Sequence, residues 1–182
     1  MKYYCYLNLN FQPLVEKIAP YVLENFLQEK NFFVPLDTNN FLKLFPDLDK
    51  IFNPMKIEID KIALIVYNSH WHDFIHIDDY PDPNDPNPDT LRINFPLINC
   101  EKSRTNFYEL KPGKFIKTDE TGVYSKVYRA DPEDCVLVDS FCLNRPVVLR
   151  TEVLHNVVLD PGVTQRISLT MKFKQDLHFL LS

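Results

Sequence analysis

HNVVLDPGVTQRISLTMKF, residues 155–173, decides how this chain reads. At its centre stands Asp160-Pro161-Gly162-Val163, a turn signal with Pro at the first central position and Gly at the second. Apolar, β-branched runs flank it, so the stretch reads as a β-hairpin closed by Asp160 and Val163. In that register His155 lies opposite Ser168 and Val157 opposite Arg166. Strand side chains alternate faces, so His155, Val157, Arg166 and Ser168 share one face. An imidazole, a guanidinium and a hydroxyl together on a mostly apolar hairpin point to a site rather than to filler.

The rest of the chain sets bounds. Its 182 residues suggest one domain, long enough to bury a sizeable core. Fourteen prolines against three glycines favour stiff turns over flexible linkers. A net charge of −5 without any Lys/Arg block makes nucleic acid a poor partner. Cys5, Cys100, Cys135 and Cys142 are scattered with no CxxC pair, which reads as reduced thiols in a cytoplasmic protein. No apolar run is long enough to span a bilayer, and the N-terminus does not read as a signal peptide. Oligomeric state is not legible.

Working upstream, residues 1–10 alternate well enough for a short strand. Leu14, Val15, Ile18, Ala19, Val22, Leu23, Phe26 and Leu27 form one helical face. Pro20 is expected to kink that helix or start a new one. Asp37 and Thr38 can cap a second helix, and Pro46 can open a third. Residues 11–53 are therefore expected to be a helical layer covering a sheet. From Lys56 onward the pattern becomes β. Strands are expected within 56–67, 72–78, 91–99 and 105–111, and near 123–128, 135–141 and 146–150. Pro96 implies an edge or a bulge. YPDPNDPNPDT, 80–90, is a loop that should border any site at Asp78. Many short strands split by turn residues argue for a sandwich or barrel.

One histidine does not make a metal site. His76-Ile77-Asp78 supplies two more ligands at strand spacing, since positions i and i+2 share a face. His76, Asp78 and His155 would form a two-imidazole, one-carboxylate facial triad. That donor set suits Fe(II) and leaves positions open for a cosubstrate and oxygen. Ten residues separate His155 from Arg166, which opens an RxS triplet with Ser168. The whole pattern, HxD followed at a distance by H-x10-R-x-S, resembles the Fe(II)/2-oxoglutarate-dependent dioxygenases. The resemblance spans roughly residues 64–173.

The resemblance implies a mainly β fold, the double-stranded β-helix or jelly roll, behind an N-terminal helical layer. One domain, 1–182, would hold a strand and helical layer over about 1–55 and a jelly-roll core over about 56–175. It implies Fe(II) held by His76, Asp78 and His155, and 2-oxoglutarate anchored by Arg166 and Ser168. The reaction would consume O2, convert 2-oxoglutarate to succinate and CO2, and oxidise a substrate, as a hydroxylase does. Arg166 suits the anchoring role because its guanidinium fork matches a carboxylate. Arg92 and Asn94 share a face of the next strand and are candidate contacts to cosubstrate or substrate; Arg92 could equally pair with the acidic loop. The substrate is expected to be a small molecule or a peptide side chain. A non-catalytic jelly-roll binding module, with or without a metal, is the alternative.

Further residues admit blander readings. His70 and His72 flank Trp71, and two surface histidines around a structural aromatic explain that triplet as well as a second metal site does. His178 reads as surface. Tyr67, Tyr108 and Trp71 could wall a pocket, although aromatics in strands are usually core.

Overall fold

The computed structural model describes residues 2–69, 74–78, 90–119 and 127–181. The HWH triplet, the start of the strand expected at 72–78, the start of that expected near 123–128 and nearly all of the 80–90 loop lie outside the described residues.

Twelve described strands form two antiparallel sheets. In chain order they are β1 (Tyr4–Tyr6), β2 (Phe33–Leu36), β3 (Ile59–Asn68), β4 (Ile75–Ile77), β5 (Leu91–Ile98), β6 (Ser103–Leu110), β7 (Lys117–Asp119), β8 (Val127–Ala130), β9 (Cys135–Phe141), β10 (Val147–Arg150), β11 (His155–Leu159) and β12 (Gln165–Phe173). Sheet A has the order β1-β10-β5-β12-β3-β2, and sheet B the order β7-β8-β4-β11-β6-β9. From β3 to β6, and again from β9 to β12, each consecutive strand changes sheet. That alternation is the double-stranded β-helix.

It also corrects the hairpin. β11 pairs with β4 and β6, whereas β12 pairs with β3 and β5. The turn itself forms: the Val163 amide donates to the Asp160 carbonyl at 3.1 Å, and Gly162 has φ +87°. Turn chemistry closes four residues but does not oblige the strands leaving them to pair. Here the Asp160 amide donates to Lys102 O and the Thr164 carbonyl accepts from Ser69, each tying one side of the turn to its own sheet. His155 is thus not beside Ser168; the two belong to facing sheets.

Three helices cover the outer face of sheet A: α1 (Gln12–Phe26), α2 (Thr38–Leu44) and α3 (Pro46–Lys50). The Asp37 carboxylate caps α2 by accepting from the Asn40 amide at 3.0 Å. Pro46 occupies the first turn of α3, where a missing N–H costs nothing. Pro20 does not interrupt α1, which runs as one helix from Gln12 to Phe26. Both Pro20 and Glu16, whose carbonyl loses its helical donor, are exposed, so water can satisfy that oxygen. Leu14, Ile18 and Val22 of α1 pack with Leu64 and Val66 of β3, Ile93 and Phe95 of β5, and Ile167, Leu169 and Met171 of β12. Full burial of each such side chain contributes about 1.5–3 kcal/mol.

Because strands alternate, the burial of Ile167, Leu169 and Met171 under the helices turns Arg166, Ser168 and Thr170 toward sheet B. The space between the sheets divides in two. One part is apolar, built from Phe107, Phe141, Leu143, Val147 and Leu149 and flanked by Tyr4 and Tyr6. The other part is polar and holds the candidate site.

β2 was not expected, since residues 11–53 read as helical. It is a four-residue edge strand containing Pro35, too short to show a period. Pro96 sits where the β5–β12 register slips between Ile167 and Ser168, the bulge its ring requires.

Candidate metal centre and its pocket

His76 and His155 are cross-strand partners on β4 and β11, and their rings lie 4.6 Å apart. Both are buried. Asp78 follows the end of β4, where its amide donates to Thr151 O at 3.1 Å. Its Oδ1 approaches Nε2 of His76 to 3.1 Å and Nε2 of His155 to 3.6 Å. Metal bonds of about 2.1 Å meeting at right angles separate neighbouring ligand atoms by about 3 Å. The candidate ligand atoms all lie within 4.8 Å of one another, so the cluster needs little adjustment to close on an ion.

Both rings are oriented from behind. His76 Nδ1 donates to Phe74 O at 3.1 Å, and His155 Nδ1 donates to Val153 O at 2.9 Å. A carbonyl only accepts, so in the neutral ring the proton is on Nδ1 and the Nε2 lone pair faces Asp78. Two imidazole lone pairs and a carboxylate then converge on one point. That convergence is unfavourable unless a cation sits there, and backbone orientation of the far nitrogen is a usual support for metal-ligating histidine.

The electrostatics agree. Burial pushes the His155 pKa down, and the pull of Asp78 in the other direction does not restore it. Burial would raise Asp78, but positive charge beside it, the imidazolium forms of His155 and His76 ahead of Arg92, lowers its pKa, and a cation held between the three would supply that charge with both rings neutral. Neutral imidazole and ionised carboxylate are the forms that bind a metal.

On the inward side of sheet A, Arg166 is 2% exposed and Ser168 0%. Arg166 Nε and Ser168 Oγ are buried and have no hydrogen-bond partner. Each such orphan costs about 1–3 kcal/mol, more for a charged group. Two adjacent orphans, one cationic and one a hydroxyl, match the oxygens of a carboxylate. Arg166 also lies beside Tyr67, whose ring meets Phe32 edge-on at 5.7 Å.

The other sequence candidates distribute unevenly. Asn94 pairs with Thr170 and Val147 on the inward face of sheet A, and its Oδ1 is buried without a partner. An acceptor there suits a hydroxyl or N–H rather than a carboxylate. Arg92 pairs with Leu149 and contributes to the field at Asp78. Tyr108 does not wall the pocket: its hydroxyl donates to Asn156 Oδ1 at 3.2 Å, on the outer face of sheet B. His178 stands with Asp176 at the surface.

Arg129 was not singled out from the sequence. Arg129 pairs with His76 from β8, and its guanidinium lies 4.1 Å over the Phe74 ring. The strand expected near 123–128 ended one residue short of Arg129, and no local signal shows which strand lies beside β4.

Two solved forms of HygX from Streptomyces hygroscopicus superpose on this architecture. The iron-bound form gives a TM-score of 0.53 at 9% identity, covering 97% of this chain and 83% of that one. The form with nickel and 2-oxoglutarate gives 0.54 at 8%, covering 97% and 84%. This chain shares the HygX fold. At these identities the likeness speaks to the fold alone, and it places the H-x-D…H-x10-R-x-S pattern on the jelly roll that its resemblance implied. A Pseudomonas putida prolyl-4-hydroxylase aligns at a TM-score of 0.49 and 14% identity, over 97% of this chain and 94% of that one. No family model matches the chain, and no curated protein matches it.

Proposed function

We propose that this protein is an Fe(II)- and 2-oxoglutarate-dependent oxygenase of the hydroxylase type, working as one domain. The observation that carries this is the pairing of two unsatisfied features on the inward sides of the two facing sheets. Three ligand atoms converge on sheet B, and the orphaned Arg166–Ser168 pair faces them from sheet A. HygX, which shares the fold, has been solved with iron and with nickel and 2-oxoglutarate.

In this reading His76, Asp78 and His155 hold the iron, and Arg166 with Ser168 holds the distal carboxylate of 2-oxoglutarate. When bound, the iron and cosubstrate supply the redox chemistry: one oxygen atom of O2 enters succinate as 2-oxoglutarate loses CO2, and the other enters the substrate. The chain does the rest. Carbonyls of Phe74 and Val153 fix the imidazole tautomers, and burial keeps His155 unprotonated. The two sheets keep water from the anchoring pair, where a charge-assisted hydrogen bond is strongest.

The substrate in this reading is a small molecule or a peptide side chain. Four free cysteines fit a reducing, cytoplasmic setting. No helix among the described residues is long and apolar enough to cross a membrane.

The test is succinate formation from 2-oxoglutarate by purified protein with Fe(II) under air. Succinate should appear with the parent protein and vanish in His155→Ala. Folded, iron-loaded protein that neither binds nor consumes 2-oxoglutarate would favour a non-catalytic binding module.

A further inference from the structure

Asn94 stands on β5 between the two halves of the candidate site. On one side its cross-strand partner is Thr170, two residues along β12 from Ser168. On the other side its partner is Val147, which is buried between the sheets in one cluster with Phe107. The Phe107 ring lies 6.3 Å from that of His155. Directly paired residues project from one face, so Asn94 faces sheet B as Arg166, Ser168 and Thr170 do. Two residues away on the same face is Arg92, whose charge reaches Asp78. Asn94 therefore occupies the stretch of sheet A that runs from the cosubstrate anchor toward the metal ligands.

Its side-chain oxygen is buried and accepts no hydrogen bond, not even from the Thr170 hydroxyl across the strand. A buried carbonyl oxygen left without a donor is costly. An amide oxygen only accepts, so whatever satisfies it must bring an N–H or O–H. 2-Oxoglutarate brings neither: both of its carboxylates are ionised at neutral pH, and its keto oxygen is an acceptor. Asn94 Oδ1 thus differs in kind from the Arg166 guanidinium and the Ser168 hydroxyl, which offer donors to the cosubstrate.

We propose that Asn94 Oδ1 accepts a hydrogen bond from the substrate, so that the substrate carries an N–H or O–H beside the carbon presented to the metal. The inference rests on the oxygenase reading and deepens it. It selects amides and alcohols over N-alkylated amides and ethers of the same skeleton. Selection of this kind is steep, because the wrong molecule leaves the carbonyl buried and unpaired. The donor atom can be nitrogen or oxygen, and the experiment separates the two.

Two arms of matched probes are added to protein carrying Mn(II) and saturating 2-oxoglutarate, and paramagnetic broadening of probe protons is read by NMR. The nitrogen arm sets blocked amino-acid methylamides against the same compounds N-methylated at every amide. The oxygen arm sets small alcohols and polyols against their methyl ethers. In at least one arm the donor should be broadened at concentrations about tenfold or more below its methylated counterpart, the scale of a stranded buried acceptor. The arm that responds names the donor atom. Asn94→Leu keeps a side chain of similar shape and removes the acceptor. It should erase the preference while Mn(II) and 2-oxoglutarate affinities stay at parent values. Its ligand-free stability in urea should equal or exceed the parent's, since no partner is lost. No preference for the donor in either arm overturns the proposal, as does a preference that survives Asn94→Leu, which would be steric. Weaker 2-oxoglutarate binding in Asn94→Leu would assign the residue to the cosubstrate, and lower stability would assign its oxygen a partner within the fold; either result also overturns it. A parent protein that binds neither Mn(II) nor 2-oxoglutarate overturns the oxygenase reading and this inference with it.

Discussion

His76 and His155 face each other as cross-strand partners, their ring centroids 4.6 Å apart, although 78 residues separate them in the sequence. Each ring spends its Nδ1 proton on a carbonyl two residues before it. The shared geometry leaves both Nε2 atoms pointing at Asp78, and it makes the three side chains one unit.

His76→Ala, Asp78→Ala and His155→Ala should therefore each weaken Fe(II) binding by more than the ~10–100-fold that loss of an outer-shell partner causes. Anaerobic titration with Fe(II) measures this. Parent-like affinity in two of the three variants would contradict the triad.

Arg166 and Ser168 should separate cosubstrate binding from metal binding. Arg166→Lys keeps the charge and loses the fork, so 2-oxoglutarate affinity should fall about tenfold or more. Ser168→Ala should cost on the order of 1 kcal/mol of 2-oxoglutarate binding. Because Ser168 Oγ is already an orphan in the free protein, the same change should leave stability without ligand unchanged or slightly higher. Calorimetric titration and urea denaturation of each variant read the two effects apart. Destabilisation of the ligand-free Ser168→Ala protein would mean that the hydroxyl has a structural partner.

Gly162 tests the corner between the sheets. It has φ +87°, and a Cβ added there would meet nothing within 4 Å. Gly162→Ala should therefore lose stability through backbone strain alone, about 1–2 kcal/mol in urea denaturation. A neutral substitution would mean that the turn relaxes to another conformation.

Burial separates two apolar residues of opposite consequence. Ile18 on α1 is fully buried against sheet A, so Ile18→Ala should cost about 2–5 kcal/mol. Leu137 on edge strand β9 is 55% exposed, and Leu137→Ala should fall within about 0.5 kcal/mol of the parent. Equal losses would show that β9 is covered in solution.

Features with a short physical period were legible in the sequence. The Leu14, Ile18 and Val22 stripe of α1 followed from its 3–4 spacing, although Leu23 and Leu27, read onto the same face, are exposed, and His76 with Asp78 followed from strand alternation. The Asp160–Val163 turn followed from the backbone demands of Pro and Gly. Partners set by tertiary pairing were not legible. Nothing near Pro161 shows that β11 and β12 leave for different sheets, yet that departure is what sets Arg166 and Ser168 facing His155 rather than beside it. Arg129 was hidden for the same reason, because its neighbour His76 lies on a strand distant in sequence. β2 was not legible because a four-residue strand holding a proline is too short to show a period.

The most direct test is a crystal structure grown anaerobically with Fe(II) and 2-oxoglutarate. The expected result is one metal ion bound by Nε2 of His76, a carboxylate oxygen of Asp78 and Nε2 of His155, with the distal carboxylate of 2-oxoglutarate on Arg166 and Ser168. Metal bound at other residues, or 2-oxoglutarate absent from the Arg166–Ser168 pair with iron in place, contradicts it.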